Sequence, residues 1–183
     1  MIIGLTGTLG AGKDTMVDYL RRLNFKHYSV RDFLIEEIKK RGMLVNRDSM
    51  RNLANQLRAE NSPSYIVEQL YERAQRTGGD CIIESIRVPG EIIALRKKGE
   101  FYLIAIDADR KLRYERIRKR GGEKDNITFE KFVDDEEKEM KSDDPNKQNL
   151  SKCIEMADYK IDNSGTLEEF YQKIDELIAR IKK

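Results

Sequence analysis

A chain of 183 residues suits one domain, read here as a single unit over 1–183, and is long enough to bury a substantial core. With 39% hydrophobic and 37% charged residues it describes a soluble globular protein with a densely ionic surface, and a net charge of +2 excludes a global field that would recruit nucleic acid. No stretch is long and apolar enough to span a membrane, and the apolar start Met1 to Leu5 is too short for a signal peptide and lacks a basic leader, so the chain reads as cytoplasmic. Cys81 and Cys153 sit in no metal-binding spacing and read as buried thiols in a reducing compartment rather than as a disulfide.

Ile2 and Ile3 form the start of a short buried strand and lead straight into GLTGTLGAGKDT, Gly4 to Thr15, which reads as the turn into a first helix. Within it Gly7, Gly12 and Lys13 meet the phosphate-loop spacing G-x-x-x-x-G-K. The backbone of Gly7, Thr8, Leu9, Gly10, Ala11 and Gly12 can curl its N–H groups around phosphate oxygens, the helix N-terminus adds its dipole, and Lys13 adds a mobile positive charge. The bland alternative is a tight glycine turn, but strand before and helix after are the context the motif needs, so the stretch predicts nucleotide binding. The residue after the lysine is usually Ser or Thr with its hydroxyl on Mg2+. Here it is Asp14, followed by Thr15, and an aspartate is also a hard oxygen ligand for Mg2+.

Met16, Val17, Leu20 and Leu23 recur at helical spacing, so a first helix runs to about Asn24 and Phe25 to Val30 reads as a second strand. His27, the only histidine, lies beside Tyr28 and reads as a structural or surface residue. Asp32 to Arg41 and Asp48 to Ala59 follow as helices, and Ser62 with Pro63 reads as the cap and first turn of a third that closes at Gly78 and Gly79. Residues 31–79 therefore make a helical region between two strands.

Cys81 to Ile83 is a continuous apolar run ending on Glu84, as expected of a central parallel strand, and Arg87 follows closely. Glu91 to Lys98 is a short helix and Phe101 to Ile106 a strand with Asp107 and Asp109 at its carboxyl end. From Arg110 to Arg120 seven of eleven residues are basic, and Arg113, Arg116 and Arg120 fall on one helical face. Gly121 and Gly122 could hinge the charged stretch from Glu123 to Asn149, anchored only by Phe129, Phe132, Val133 and Met140, so 110–149 is a lid candidate. Tyr159 to Asp162 is a last strand, Asn163, Ser164 and Gly165 a turn, and Thr166 with Glu169 a capping box ahead of a long apolar stripe.

Strands alternating with helices imply a parallel α/β sheet, and such sheets bind ligands at the carboxyl ends of their strands. Asp32, Glu84, Arg87, Asp107 and Asn163 all come at or just after such ends. Phosphoryl transfer needs positioning, charge neutralisation and a carboxylate near the attacking hydroxyl, and these residues supply each. Asp32 could equally cap its own helix, Glu84 could be a paired carboxylate, and the arginine face could be a solvated surface balanced by the acidic cluster Asp134 to Glu137.

The opening IGLTGTLGAGKDT and the closing ADYKIDNSGTLEEF, Ala157 to Phe170, resemble the P-loop nucleoside monophosphate kinase superfamily, and within it dephospho-coenzyme A kinase-like proteins. HYSVRDFLIEEIKKRG, His27 to Gly42, is similar to the region where those kinases hold the acceptor. IIESIRVPGE, Ile82 to Glu91, resembles the D-G-F-P-R segment of adenylate kinases, with Glu84 in the acidic and Arg87 in the arginine position. The GKD-T form is closer to deoxynucleoside monophosphate kinases and phosphomevalonate kinases than to the GKS-T of dephospho-coenzyme A kinase, whose proline-and-leucine signature is also missing. These departures make the chain more similar to an uncharacterised archaeal kinase-like P-loop family.

The resemblance implies a three-layer α/β/α P-loop NTP hydrolase fold with a five-stranded parallel sheet, order 2-3-1-4-5, and a helical lid. It implies ATP- and Mg2+-dependent transfer to a small-molecule phosphate acceptor, a nucleotide or a nucleotide-like molecule such as a coenzyme A precursor. Lys13 and the loop would hold the β- and γ-phosphates, Thr15 the α-phosphate, and Asp14 and Glu84 the metal. Asp32 would orient or deprotonate the acceptor hydroxyl, Arg87 would hold its phosphate, Arg113, Arg116 and Arg120 would neutralise the transfer state, and Asn163 to Gly165 would border the adenine. The alternative class is a nucleotide-dependent switch or RNA-associated ATPase, motivated by the basic run. Nothing in the pattern specifies an oligomeric state.

Overall fold

The computed structural model describes residues 1–121 and 127–182. Gly122 of the glycine pair and Glu123, where the charged stretch begins, lie outside the described residues. Five strands, β1 (Ile2–Gly7), β2 (Lys26–Ser29), β3 (Cys81–Glu84), β4 (Phe101–Asp107) and β5 (Tyr159–Asp162), form one parallel sheet in the order β2-β3-β1-β4-β5. The P-loop α/β architecture expected from the sequence is therefore the one the chain adopts.

Side chains alternate across the sheet and divide the interior in two. Ile3 and Leu5 of β1, Ile82 of β3 and Ile104 and Ile106 of β4 face α1 (Lys13–Arg22) and α9 (Leu167–Ile181), where Met16, Leu20, Phe170 and Ile174 close the first core. Ile2, Cys81, Ile83, Phe101 and Leu103 face the other way. They pack against α2 (Val30–Lys40), α3 (Arg47–Glu60), α4 (Tyr65–Thr77), α5 (Pro89–Lys97) and α8 (Leu150–Glu155). Two further helices, α6 (Arg110–Arg120) and α7 (Phe129–Met140), cross the carboxyl end near the glycine-rich loop.

Local signals set most boundaries. Ser29 caps α2, Asn46 and Ser49 cap α3 reciprocally, and Thr166 and Glu169 form the expected box on α9. The start of α4 falls later than Ser62 and Pro63 suggest. Tyr65 N–H bonds to the Ser62 carbonyl at 3.1 Å, so Pro63 occupies the second position of a turn and Ser64 becomes the cap. In the charged stretch after the basic run, α7 forms because Phe132 is fully buried between Tyr114, Phe129 and the Arg113 guanidinium. The six-residue α8 adds buried Leu150 and Cys153; both cysteines are buried free thiols. No helix among the described residues is long and apolar enough to cross a membrane.

Candidate active site

The loop between β1 and α1 is braced from outside by side chains that take its carbonyls. Asn163 Nδ2 donates to the Ala11 carbonyl at 2.8 Å, Arg113 Nη1 to that of Leu9 at 3.1 Å, and Thr8 Oγ1 donates to Asp107 Oδ1 at 2.5 Å. Gly7, Gly10 and Gly12 are required by this packing, and a Cβ on Gly10 would stand 2.6 Å from the Arg113 carbonyl. A Cβ on Gly7 would stand 2.0 Å from the Ile106 carbonyl, and one on Gly12, at φ +103°, 2.3 Å from Asn163 Nδ2. Gly12 is the N-cap of α1 and brings no side-chain cap, so the first-turn N–H groups of Lys13, Asp14 and Thr15 lie open at the loop.

Lys13 folds back over this opening. Its Nζ donates to the carbonyls of Gly7 at 2.9 Å and Thr8 at 2.7 Å, which uses two of the three ammonium donors. Burial, then the nearby Arg87 charge, push its pKa down to about 8 against the pull of Glu84, Asp14 and Glu139. Arg87, Glu84, Asp14 and Glu139 thus share one electrostatic neighbourhood with the loop lysine.

Glu84, at the end of β3, meets His27 from β2: Nε2 and Oε2 are 3.0 Å apart. Its other oxygen accepts from Ser85 Oγ at 3.1 Å, and Ser85 takes a left-handed φ of +70°. Burial raises the Glu84 pKa, but the hydrogen bond and charge of His27, with Lys13 and Ser85, outweigh it and hold the carboxyl below its ordinary range. Arg87 lies three residues on and points its Nη1 at Glu139 of α7 and at Gln148 Oε1, 3.2 Å away. Its main chain is held as well: its N–H donates to Glu91 Oε2 at 2.9 Å, and its carbonyl accepts from Asn149 N–H at 2.9 Å. Glu91 is itself buried against Arg58 at 2.8 Å.

The three arginines expected to act together on α6 have three different situations. Arg113 is buried with Nε on the Ala108 carbonyl at 2.9 Å, Nη1 on Leu9 and Nη2 on Glu136 at 2.8 Å, so its charge is spent on bracing the loop. Arg116 Nη1 is buried without a hydrogen-bond partner among the described residues. Arg120 reaches across to Asp14 Oδ2 at 3.5 Å. Asp14 is exposed at the first turn of α1, and Thr15 is half-buried beside it.

Asp32 is exposed in the first turn of α2, its own N–H donating to Ser29 Oγ at 3.2 Å. Asn163, read from sequence as a turn residue beside the base, is buried against the loop, whereas Ser164 is exposed and bonds to Asp109 N–H and Asp162. Sequence reasoning missed His27, Glu139 and Gln148. His27 lies on the same face as Ser29, whose register partner is Glu84, so pairing β2 with β3 would have found it. For Glu139 and Gln148 no sequence signal exists, because their meeting with Arg87 depends on where α7 and the chain after it lie.

A family model described as an AAA domain matches residues 3–142. A UPF0200 protein of Sulfurisphaera tokodaii is 32% identical over 184 residues, covering 98% of this chain and 97% of the relative. Among solved structures, shikimate kinase from Bacteroides thetaiotaomicron superposes with a TM-score of 0.58 at 15% identity, covering 100% of this chain and 99% of that one. Dephospho-CoA kinase from Campylobacter jejuni superposes with a TM-score of 0.53 at 16% identity, covering 98% and 96%. These likenesses establish the kinase-like P-loop fold, and the chain belongs to the UPF0200 family and carries an AAA domain with a nucleotide-binding P-loop.

Proposed function

We propose that this protein catalyses ATP- and Mg2+-dependent phosphoryl transfer to a small acceptor, a nucleotide or a nucleotide-like molecule such as a coenzyme A precursor. The observation that carries the reading is Lys13: a partly desolvated ammonium with one donor left over, folded onto the Gly7 and Thr8 carbonyls at an uncapped helix N-terminus, with the charges of Glu84 and Arg87 acting on it. The names of the two superposed structures, both kinases of small molecules, agree with it.

Lys13 and the loop backbone from Gly7 hold the β- and γ-phosphates, and Thr15 the α-phosphate. No cluster of three His, Cys, Asp or Glu among the described residues could hold a metal alone. That suits Mg2+, which takes one or two carboxylates and fills its remaining positions with water and phosphate oxygens. Glu84, kept ionised, and Asp14 are the carboxylates that fit. When bound, the ion supplies charge neutralisation at the phosphates. Asp32 orients the acceptor hydroxyl and Arg87 the acceptor's anionic group. Arg116 and Arg120 neutralise the transferring phosphoryl group from 110–149, the lid, with Arg113 bracing the loop. Ser164 and Gly165 border the adenine and Asn163 holds the loop beneath it.

The test is ADP formation from ATP and Mg2+ over a panel of nucleotides, coenzyme A precursors and small hydroxy acids. Acceptor-dependent ADP that disappears in Lys13→Ala, with the fold retained by circular dichroism, is the expected result. A second reading, an RNA-associated ATPase, is favoured by one observation: on the other side of α6 Lys111, Arg118 and Lys119, with Glu115 among them, line a cleft beside Tyr114 and Phe129, and Arg118 lies over the Tyr114 ring. ADP formation indifferent to the panel and stimulated by RNA would select it.

A further inference from the structure

Glu91, in the first turn of α5, is fully buried and spends both carboxylate oxygens. Oε1 accepts from Arg58 Nη2 of α3 at 2.8 Å, and Oε2 accepts from two successive main-chain N–H groups, of Arg87 at 2.9 Å and of Val88 at 3.0 Å. The bond from Val88 is an ordinary helix cap; the one from Arg87 comes from the residue before the cap and fixes the chain that carries the site arginine. We propose that Arg58 is a positioning residue for phosphoryl transfer: through Glu91 it sets the main chain of Arg87 beyond the end of β3, so that the aim of this arginine at an acceptor's anionic group depends on how α3 is seated. This rests on the phosphoryl-transfer reading and deepens it by linking the acceptor-side helices to Arg87.

Three observations favour this role over a tie that only holds the fold together. First, stability alone gives little reason for the pair. Replacing a buried ion pair by apolar residues is often neutral or stabilising, and Arg58, 3% exposed, leaves Nε and Nη1 buried without a hydrogen-bond partner among the described residues. Among the described residues of 31–79 it is the one charged side chain that is buried. Second, the Arg87 main chain is held on both sides, its N–H by Glu91 and its carbonyl by Asn149 N–H at 2.9 Å, so segments far apart in the chain converge on this residue. Third, its guanidinium is not used up. Among the described residues it bonds through Nη1 alone, to Glu139 and Gln148, which leaves Nε and Nη2 for an anion.

The link runs from α3 through Arg58 and Glu91 to Arg87, each step a hydrogen bond of 2.9 Å or less. Charge-assisted bonds away from water are strong and directional, so a shift of α3 carries Glu91 and the Arg87 main chain with it. Cutting the link leaves the Arg87 charge in place but not its aim. The cost then falls on the contact with an anion, and not on the nucleotide in the loop or on an uncharged ligand.

Arg58→Met/Glu91→Gln cuts the link without stranding a charge, because the glutamine carbonyl can still accept from both N–H groups. Wild type and variant are filled with saturating Mg2+ and the non-hydrolysable analogue AMP-PNP, then titrated by calorimetry with AMP, with inorganic phosphate and, as the uncharged control, with adenosine. The double variant should melt close to the wild type, bind AMP-PNP and adenosine as the wild type does, and bind AMP or phosphate about tenfold more weakly. Arg58→Lys, which keeps a charged donor for Glu91, should recover most of that loss. Unchanged affinity for both anions, an equal loss for adenosine, or a wild type that binds neither anion once AMP-PNP is in place overturns the inference alone. A double variant that does not fold makes the pair a structural one and overturns it as well. Failure of the wild type to bind AMP-PNP overturns the phosphoryl-transfer reading and the inference with it.

Discussion

The His27 imidazole stands 3.0 Å from the Glu84 carboxylate, on the same face of two neighbouring parallel strands at the end of the sheet that carries the phosphate loop. It keeps a buried acid ionised beside Lys13. Glu84 therefore contributes stability that is fully present above its unfolded pKa and is lost as pH falls through its lowered folded value.

His27→Asn leaves burial to dominate, and the Glu84 carboxyl moves up. The variant should lose about 1–3 kcal/mol at pH 7 by urea unfolding. The deficit should shrink as pH drops below the ordinary carboxylate range, where Glu84 is protonated in both proteins. A deficit that stays constant down to strongly acidic pH would mean that the pair contributes nothing through charge.

Lys13 has the opposite sign. Its folded pKa of about 8 lies below the unfolded value, so in the free protein its burial opposes folding below pH 8 and ceases to do so as pH rises from there towards 10.5. Bound phosphates favour the ammonium, so nucleotide binding near pH 8 should take up a proton and ATP affinity should weaken above it. Calorimetry in two buffers of different ionisation enthalpy reads the uptake directly. Lys13→Met should weaken ATP binding by about 3 kcal/mol while melting no lower than the wild type. A lower melting temperature with unchanged affinity would make Lys13 a structural residue.

Arg113→Met strands the buried Glu136 carboxylate and releases the Leu9 carbonyl. Arg110 lies 3.3 Å from Glu136 and softens the loss, so a cost of about 3 kcal/mol is expected. For a chain of this length that is roughly a 6–12 °C fall in melting temperature. Arg113→Met/Glu136→Met should regain more than half of it; a double variant as unstable as the single one would point to the Leu9 contact instead.

Gly12→Ala forces a side chain into a left-handed backbone and into Asn163. It should cost more than about 1 kcal/mol and sharply reduce ATP affinity. Asn163→Ala alone loses one buried hydrogen bond, about 1 kcal/mol, with a smaller effect on binding. Combined, the two should bind ATP better than Gly12→Ala alone, because the clash is gone; equal affinities would place the damage in the backbone strain.

Several features could be read from residue types alone. Gly7, Gly12 and Lys13 carry the loop in their spacing, Cys81 to Glu84 reads as a buried strand ending on an acid, and Thr166 with Glu169 marks the last helix. Strand order came from resemblance. What stayed hidden depends on contacts between distant segments. Arg113, Arg116 and Arg120 look alike on a helical wheel, and only the position of α7 buries the first and leaves the others different surroundings. Asn163 has the composition of a turn, yet its amide is the clamp on Ala11. A six-residue helix such as α8 is too short to display a period.

The division of the interior into two cores reaches beyond folding. Met16, Leu20, Phe170 and Ile174 support the loop from one side, while Phe33, Leu53, Ile66 and Leu70 seat α2, α3 and α4 on the other. The helices that would meet the acceptor can therefore be exchanged or drift in sequence without disturbing the packing beneath Lys13. Besides these buried residues Arg58 is a constraint, since it must remain on α3 to neutralise Glu91 under Arg87. A chimera that grafts foreign residues onto the exposed positions of 31–79 but keeps Arg58 and the buried Phe33, Leu53, Ile66 and Leu70 should hold its nucleotide half intact, which makes this scaffold a practical starting point for redirecting acceptor choice.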